Sequence, residues 1–502
     1  MSLRRAFLFF GLSIFLTGFS SQYENLFSDT TLSPPLPAPY VIRAKYARLR
    51  QFVPLGSNAM EGAKGITLNL FDDTIFEAVG DRFDWRGEGR FTWYGQILGA
   101  PHQSQVMLTH ENGIYKGVIA YEQQHFQITQ VSGDIYRIEE RGPVPDMQFS
   151  VLRPTATQLR DTGTLTRAKS HITPRGVPAD DGRIVDVMVV YTDKAEAGDP
   201  NILTTIQAMV DQMNLAFSNS VVNTRARLVR AYKTSYSEYG DSLVVDITRL
   251  QSTTDGFLDE VHNERTAYGA DVVTLLINNN LTGVLGIGFL NSASPAYAST
   301  AFSVVQTYMA LDYYVYGHEV GHNMGCHHDR ANASGSGAYS YSYGYYDGVA
   351  GFGTIMSYPG TKIPYYSNPS VNYGGSPTGV DDASPSSADN AHSLNNMVPF
   401  VAAWKAAVVP DSQTIEKISM GCFIATAAYG SDLHPRVFML RKFRDRVLAQ
   451  SHLGRRIIHG YYSVSPRIAQ FLEDHPSFKP PVRFLLKPFS WVVEEIWGDA
   501  LK

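Results

Sequence analysis

An α/β domain held between an all-β N-terminal part and a small helical C-terminal part is the architecture that this 502-residue sequence predicts. Three observations predict it. Between residues 41 and 140 apolar and polar residues alternate with period two, broken by Gly and Asn turns. From residue 184 near-continuous apolar runs take turns with stretches at helical spacing, the signature of a sheet covered by helices. Beyond Val408 the text changes again, with Arg and Lys mixed among Phe, Val and Leu.

Taken in order, residues 1–20 carry Arg4 and Arg5, then an apolar stretch from Ala6 to Phe19, with Gly18 and Ser20 as small residues at a cleavage position. That pattern predicts a secretory signal, and the stretch is short for a membrane span. Residues 21–150 form the β-rich part, with strands expected at Gly65–Phe71, Val106–Thr109 and His125–Thr129. Residues 151–182 read as a linker, because Arg153 to Asp181 is rich in Thr, Pro and basic residues. Such a segment is expected to be extended and open to proteolysis, with processing near Arg175 or Arg183.

The α/β domain spans residues 183–408. Ile184–Tyr191 and Asp271–Ile277 are apolar enough to be strands buried on both faces, and Ala226–Tyr232 reads as another strand. Helices are expected at Ile202–Phe217 and around Phe257–Tyr268. Residues 409–502 are the C-terminal part, where Phe484–Trp497 would suit either a small packed core or an amphipathic helix on a membrane surface or partner.

Chemistry concentrates in His318-Glu-Val-Gly-His322-Asn-Met-Gly325-Cys-His-His328-Asp329. Two imidazoles four residues apart share one face of a helix and aim at one metal ion. Gly325 lies three residues past His322 and His328 three past Gly325, and Gly is the residue that takes the left-handed turn needed to end the helix and return the third His to the metal. Three neutral imidazoles around zinc leave a fourth position for water, and Glu319 beside the first ligand is the candidate general base. His327 is one residue out of register and reads as a surface histidine or one behind the ligands. Cys326 reads as a buried or half-exposed thiol, since a fourth thiolate would close the site.

This string, followed by Gly353-Thr-Ile-Met356-Ser-Tyr358, resembles the metzincin zinc metallopeptidases. The resemblance implies a metzincin-type catalytic domain, a twisted mixed sheet with an active-site helix, and places Met356 in the Met-turn beneath the imidazoles. It also implies that the Tyr358 hydroxyl can stabilise the oxyanion. Asp329 after the third His is similar to the adamalysin or reprolysin branch, where this Asp holds the turn, and the segments Ile363–Pro369, Gly375–Gly379 and Ala388–Ala391 are similar to bacterial reprolysin-like enzymes, including peptidyl-Asp metallopeptidases. The likeness covers roughly Gly182 to Lys405, and Tyr358 and the scarcity of cysteine depart from animal adamalysins.

The family position of Gly286–Asn291 is the edge strand along the cleft, where a peptide substrate pairs with backbone. The β-rich part is similar to reprolysin precursor regions, which implies a prodomain. Ser132–Ile135 is similar to the aspartate segment by which astacin propeptides block zinc, and we read it as a hairpin turn. Gly421–Gly430 resembles a C-terminal module named for its Cys-Phe-Ile box, seen in bacterial exported proteins.

The resulting expectation is an exported zinc endopeptidase acting on proteins or peptides. Its rivals are a non-catalytic zinc-bearing surface protein that works through the C-terminal module, and a gluzincin, whose third ligand is a Glu on a later helix. A net charge of -5 without a basic run argues against nucleic acid. Two cysteines, Cys326 and Cys422, cannot build a disulfide framework, and no ligand loop of known spacing supports calcium near the acidic, Gly-rich loops.

Overall fold

A computed structural model describes residues 25–32, 40–50, 65–142 except 88 and 101–103, 148–160, 183–409 except 280–283, 414–417, and scattered positions between 424 and 487. The expected signal segment 1–20, residues 161–182 of the expected linker with Arg175, and Cys422 lie outside the described residues, as does most of Phe484–Trp497. The chain divides into two compact units, one made of residues 1–108, 117–140 and 413–502, the other of 109–116 and 141–412.

Mostly within the first unit, strands β1 (Phe27–Asp29), β2 (Val41–Leu49), β3 (Ile66–Phe71), β4 (Thr74–Gly87), β5 (Arg90–Ile97), β6 (Ser104–Glu111), β7 (Ile114–Tyr121), β8 (Gln124–Ser132) and β9 (Ile135–Arg141) follow the alternating pattern of the sequence. From β4 to β9 each strand neighbours the next in sequence, and β2 and β1 follow β9 at one edge. Asn112 and Gly113 both have positive φ, the conformation that a tight two-residue hairpin turn requires. Gly133 and Asp134 turn β8 into β9, and Asp134 accepts from Arg48, so this aspartate has a structural partner. The strand Thr414–Lys417 pairs antiparallel with β4, Thr414 opposite Trp85 and Lys417 opposite Arg82. This sheet therefore takes strands from both ends of the chain.

The second unit holds a six-stranded sheet. Its members are β10 (Gln148–Leu152), β11 (Ile184–Tyr191), β12 (Arg225–Lys233), β13 (Val272–Ile277), β14 (Val284–Phe289) and β15 (Phe302–Gln306), in the order β10-β14-β15-β13-β11-β12. β11, β12, β13 and β15 run parallel, and β14 is antiparallel to β15. The helices are α1 (Ala156–Arg160), α2 (Asp193–Gly198), α3 (Ile202–Asn219), α4 (Leu243–Gln251), α5 (Asp259–Tyr268), α6 (Val315–Asn323) and α7 (Asn390–Val401). One face of the sheet presents Met188, Val190, Val273, Leu275, Ile287, Phe289 and Val304, and buries them against Leu243, Ile247 and Leu250 of α4 and Val261 of α5. The period of two puts Gly286 and Gly288 on the opposite face, which lies against α6.

Two expectations differ from what is found. Gln148–Leu152, which straddles the end of the expected β-rich part and the start of the expected linker, is β10, parallel to β14, and the expected linker residues Ala156–Arg160 form α1. For α1 the physical reason is a capping box, in which Gln158 Oε1 accepts from Thr155 N at 2.9 Å and Thr155 Oγ1 accepts from Gln158 N at 3.3 Å. Consequently β14 is not an edge strand. Its outer side, expected to face a substrate, is paired over Gly286–Phe289 with Phe149–Leu152.

Candidate metal centre

The site is built on α6, and α6 is fixed at both ends. Tyr366 donates its hydroxyl to Gly317 O at 2.8 Å near the helix start, while Asn323 donates from Nδ2 to Phe289 O at 3.0 Å and Phe302 O at 2.9 Å at its end. Those two carbonyls belong to β14 and β15, so the helix axis is tied to the sheet.

Gly325, with φ of 87°, ends the helix: its N–H donates to His322 O and the Cys326 N–H to Gly321 O, each at 2.9 Å. This paired closure satisfies two of the free carbonyls at a helix end and needs a left-handed residue at Gly325. The reversed chain then enters a short strand, β16 (His327–Asp329), beside β17 (Tyr343–Gly344), and His328 comes back over the helix.

His318, His322 and His328 are buried, and their ligating atoms lie within 4.8 Å of one another. The His322 and His328 Nε2 atoms are 3.0 Å apart, close to the separation of two nitrogens that share one zinc at about 2.0–2.1 Å each. The other ring nitrogens are occupied. His318 Nδ1 pairs with Ile355 O and His322 Nδ1 with Cys326 O, each at 2.8 Å, which leaves each Nε2 as the lone-pair nitrogen facing the cluster. Burial drives all three imidazoles toward the neutral form: His322 is held down to about 3, His328 to about 2, and His318 well below its ordinary value. Neutral imidazole is the form that ligates a metal.

Glu319 is buried and neither carboxylate oxygen has a hydrogen-bond partner. Burial alone raises its pKa well above the usual carboxylate range. A Cβ on Gly286 would stand 2.6 Å from Glu319 Oε1, and one on Gly288 would stand 2.8 Å from the Glu319 carbonyl. The two glycines on the helix face of β14 are therefore what lets α6 approach the sheet so closely.

Beneath the rings, Ser357 N donates to Thr354 O in the turn that carries Met356, whose side chain is buried. Tyr358 is half-buried, its ring centroid 4.4 Å from that of His328. Asp329 Oδ2 accepts from Tyr358 N at 2.9 Å, and both Asp329 oxygens accept from Asn332 Nδ2. Asp329 thus ties the third histidine's segment to the chain after the turn.

Along the chain, residues 181–368 match the family model described as metallo-peptidase family M12. Those residues are similar to a reprolysin-like domain of that family. Outside it the match does not extend. A peptidyl-Asp metalloendopeptidase of Stenotrophomonas maltophilia is 36% identical over 238 residues, 46% of this chain and 54% of the relative. The chain therefore spans about half the length of that relative (54%). A peptidyl-Asp metalloendopeptidase of Xanthomonas campestris is 27% identical over 375 residues, 71% of this chain and 85% of the relative. Among solved structures, metalloproteinase-II from Bacteroides fragilis is similar at 11% identity with a TM-score of 0.35, covering 53% of this chain and 81% of its own.

Within the matched residues, several side chains that sequence reasoning missed or left open complete the site. Of the two places expected for His327, the one behind the ligands is found: it is buried, and its Nδ1 accepts the His328 N–H at 2.8 Å. Lys362 is buried, and its ammonium donates to Ser357 O. Burial pushes that lysine down to about 7, with Asp329 acting the other way. A lone Lys and a lone Asn carry no sequence signal, and Lys362 and Asn323 could not have been found by spacing. Cys326 is a free, buried thiol raised well above its ordinary pKa by burial. Among the described residues one other metal-capable group exists, Asp382, Asp389 and His392, whose members bond to one another: His392 Nδ1 pairs with Asp382 at 2.7 Å and Asp389 caps α7 through His392 N.

Proposed function

We propose that this chain is an exported zinc endopeptidase, made as a precursor, that hydrolyses peptide bonds in protein substrates. One observation carries the reading: a carboxylate with both oxygens unpartnered, Glu319, lies buried beside three neutral histidines gathered for one ion. Leaving a buried carboxylate without donors is costly unless the site exists to bring it a proton-bearing partner.

His318, His322 and His328 would hold the metal, and their three nitrogen donors suit zinc with a position left open. When bound, zinc supplies Lewis acidity, lowering the pKa of a water toward about 7 and polarising a carbonyl. Glu319 takes the proton from the attacking water and returns it to the departing amine, a role matched by the way burial raises its proton affinity. Tyr358, beside the third histidine, offers its hydroxyl to the oxygen on which negative charge develops. Met356 and Asp329 hold the turn and the return loop, and the rings of the ligands are aimed by Ile355 O and Cys326 O.

The relatives' names speak of peptidyl-Asp bonds, and peptides with a single aspartate are the natural first substrates. The apolar C-terminal stretch suggests attachment to a membrane surface or partner, though among the described residues no helix is long and apolar enough to cross a membrane. The decisive experiment compares the natural chain with Glu319→Gln, after limited proteolysis, on a quenched casein substrate with zinc measured on both. Equal zinc with cleavage by the natural sequence alone is expected. Cleavage by both, or zinc loss in neither with no cleavage at all, would remove the reading.

A further inference from the structure

We propose that Lys362 is the residue that receives a carboxylate of the substrate, so that the site selects peptides carrying an acidic group beside the bond that is cut. The inference rests on the endopeptidase reading above and names the chemistry by which that site chooses its substrates.

Lys362 reaches the site through its own short strand. Thr361–Lys362 pairs parallel with Phe352–Gly353, Lys362 opposite Gly353, and the Ile363 N–H donates to Gly353 O at 3.0 Å. That pairing returns the lysine to the turn that carries Met356, where its ammonium donates to Ser357 O. The next residue is Tyr358, whose ring stands 4.4 Å from that of His328. The charge acts on the ligands as well, lowering the proton affinity of both His318 and His328.

An ammonium carries three N–H donors, and here one acceptor, Ser357 O, answers them. Lys362 is 2% exposed, and no carboxylate among the described residues pairs with it. Asp329 is the acid whose charge it feels, but the Asp329 oxygens accept from Tyr358 N and Asn332 Nδ2. A single bond to a carbonyl does not offset the burial of a charge, and a neutral donor would make that bond as well. Two free donors on a buried cation match the two oxygens of a carboxylate, to which hydrogen bonds are about twice as strong as neutral ones.

The burial of Lys362 is that of the whole site. His318, Glu319 and His322 are 0% exposed and His328 is 2%, so a peptide that reaches the reacting groups enters to the depth of the ammonium. The site thus holds an anion without donors, Glu319, and a cation short of acceptors, Lys362. Proton transfer to and from water uses the first and leaves the second without a task. A peptide can bring its carboxylate from an Asp or Glu side chain or from its C-terminus, and the ammonium suits both.

The test uses the full chain, carrying zinc and treated by limited proteolysis, on three quenched peptides that are otherwise identical. One has a single Asp and an amidated end, one has Asn in its place, and one has that Asn with a free C-terminal carboxylate. The natural chain should cleave an acid-bearing peptide with kcat/KM about 10- to 100-fold above the amidated Asn peptide. The faster of the two acid-bearing peptides tells whether side chain or terminus supplies the group. Lys362→Met should shrink that ratio to about threefold or less, and Lys362→Arg should keep most of it. Both peptides meet the same protein, so a loss of packing slows both and leaves the ratio in place. Lys362→Gln, which keeps a donor for Ser357 O, carries the test if Lys362→Met does not fold. Equal cleavage of all three peptides by the natural chain, or a ratio preserved in the neutral variants, overturns the proposal and leaves the endopeptidase standing. No cleavage of any peptide or of casein overturns the endopeptidase reading, and calorimetric titration then decides the lysine. Tighter binding of an acid-bearing peptide that is lost in Lys362→Gln supports it, and equal binding overturns it.

Discussion

Gly321 and Met356 pack closely beside the histidine cluster: a Cβ on Gly321 would stand 2.7 Å from Met356 Sδ. The first ligand's Nδ1 and the Met356 turn are linked through Ile355 O, so a backbone shift of that turn would disturb His318. Gly321→Ala should cost about 1–3 kcal/mol of stability, as overpacked cores do, and weaken zinc binding. Met356→Leu, close in volume, should cost less than about 1.5 kcal/mol. Thermal melts with competitive zinc titration check both, and native-like binding by Gly321→Ala would contradict the packing argument.

Tyr358→Phe separates the two uses of that ring. If the hydroxyl stabilises developing charge, kcat should fall by up to about 10²-fold with KM and zinc content nearly unchanged. An unchanged kcat would reduce Tyr358 to a packing residue against His328.

Asp329→Ala removes the acceptor of the Tyr358 N–H and of Asn332 Nδ2 together. Leaving partly buried donors without an acceptor should cost about 1–3 kcal/mol. Because the loss falls on the loop that returns His328, zinc affinity should drop as well, whereas Asn332→Ala should change zinc affinity little. Equal zinc loss in both variants would mean that Asp329 acts through Asn332 and not through Tyr358.

Lys362 gives a pH prediction. Burial holds its folded-state pKa at about 7, against 10.5 for the ordinary side chain. Below about pH 7 both states carry the charge, and the folded state bears the full cost of burying it. As pH rises from there toward 10.5 the folded chain sheds the proton while the unfolded chain keeps it, so stability increases with pH. Lys362→Met lacks this term. Its stability relative to the natural chain should be most favourable near pH 6.5 and should lose ground by pH 9, as read by urea unfolding; a constant difference across that range would refute the buried ammonium.

The parts of this molecule that were legible in its sequence are those whose causes are local. The turn at Gly325 and the three histidines depend on spacing of a few residues, and spacing is visible. The strand Gly286–Phe289 is expected only from the family resemblance, and its alternation explains why one face is core and the other lies on Glu319. Pairing partners were not legible, because a strand's neighbours are chosen by non-local fit. β10 lies across the boundary drawn between the β-rich part and the linker, and α1 lies inside the segment whose Thr, Pro and basic content suggests a linker, although Thr155 and Gln158 carry a readable capping signal. Thr414–Lys417 finding β4 across more than three hundred residues had no local sign at all.

That last pairing bears on how the protein can be produced in the laboratory. A recombinant chain begun at residue 183, the natural choice for obtaining the M12-like residues without what precedes them, would keep Thr414–Lys417 and lose its partner β4. Its bare backbone donors and acceptors would be offered to other molecules, inviting aggregation that could be mistaken for misfolding of the metal centre. Ending the chain before residue 413 as well would remove the orphaned strand, so the two ends of any shortened version have to be chosen together.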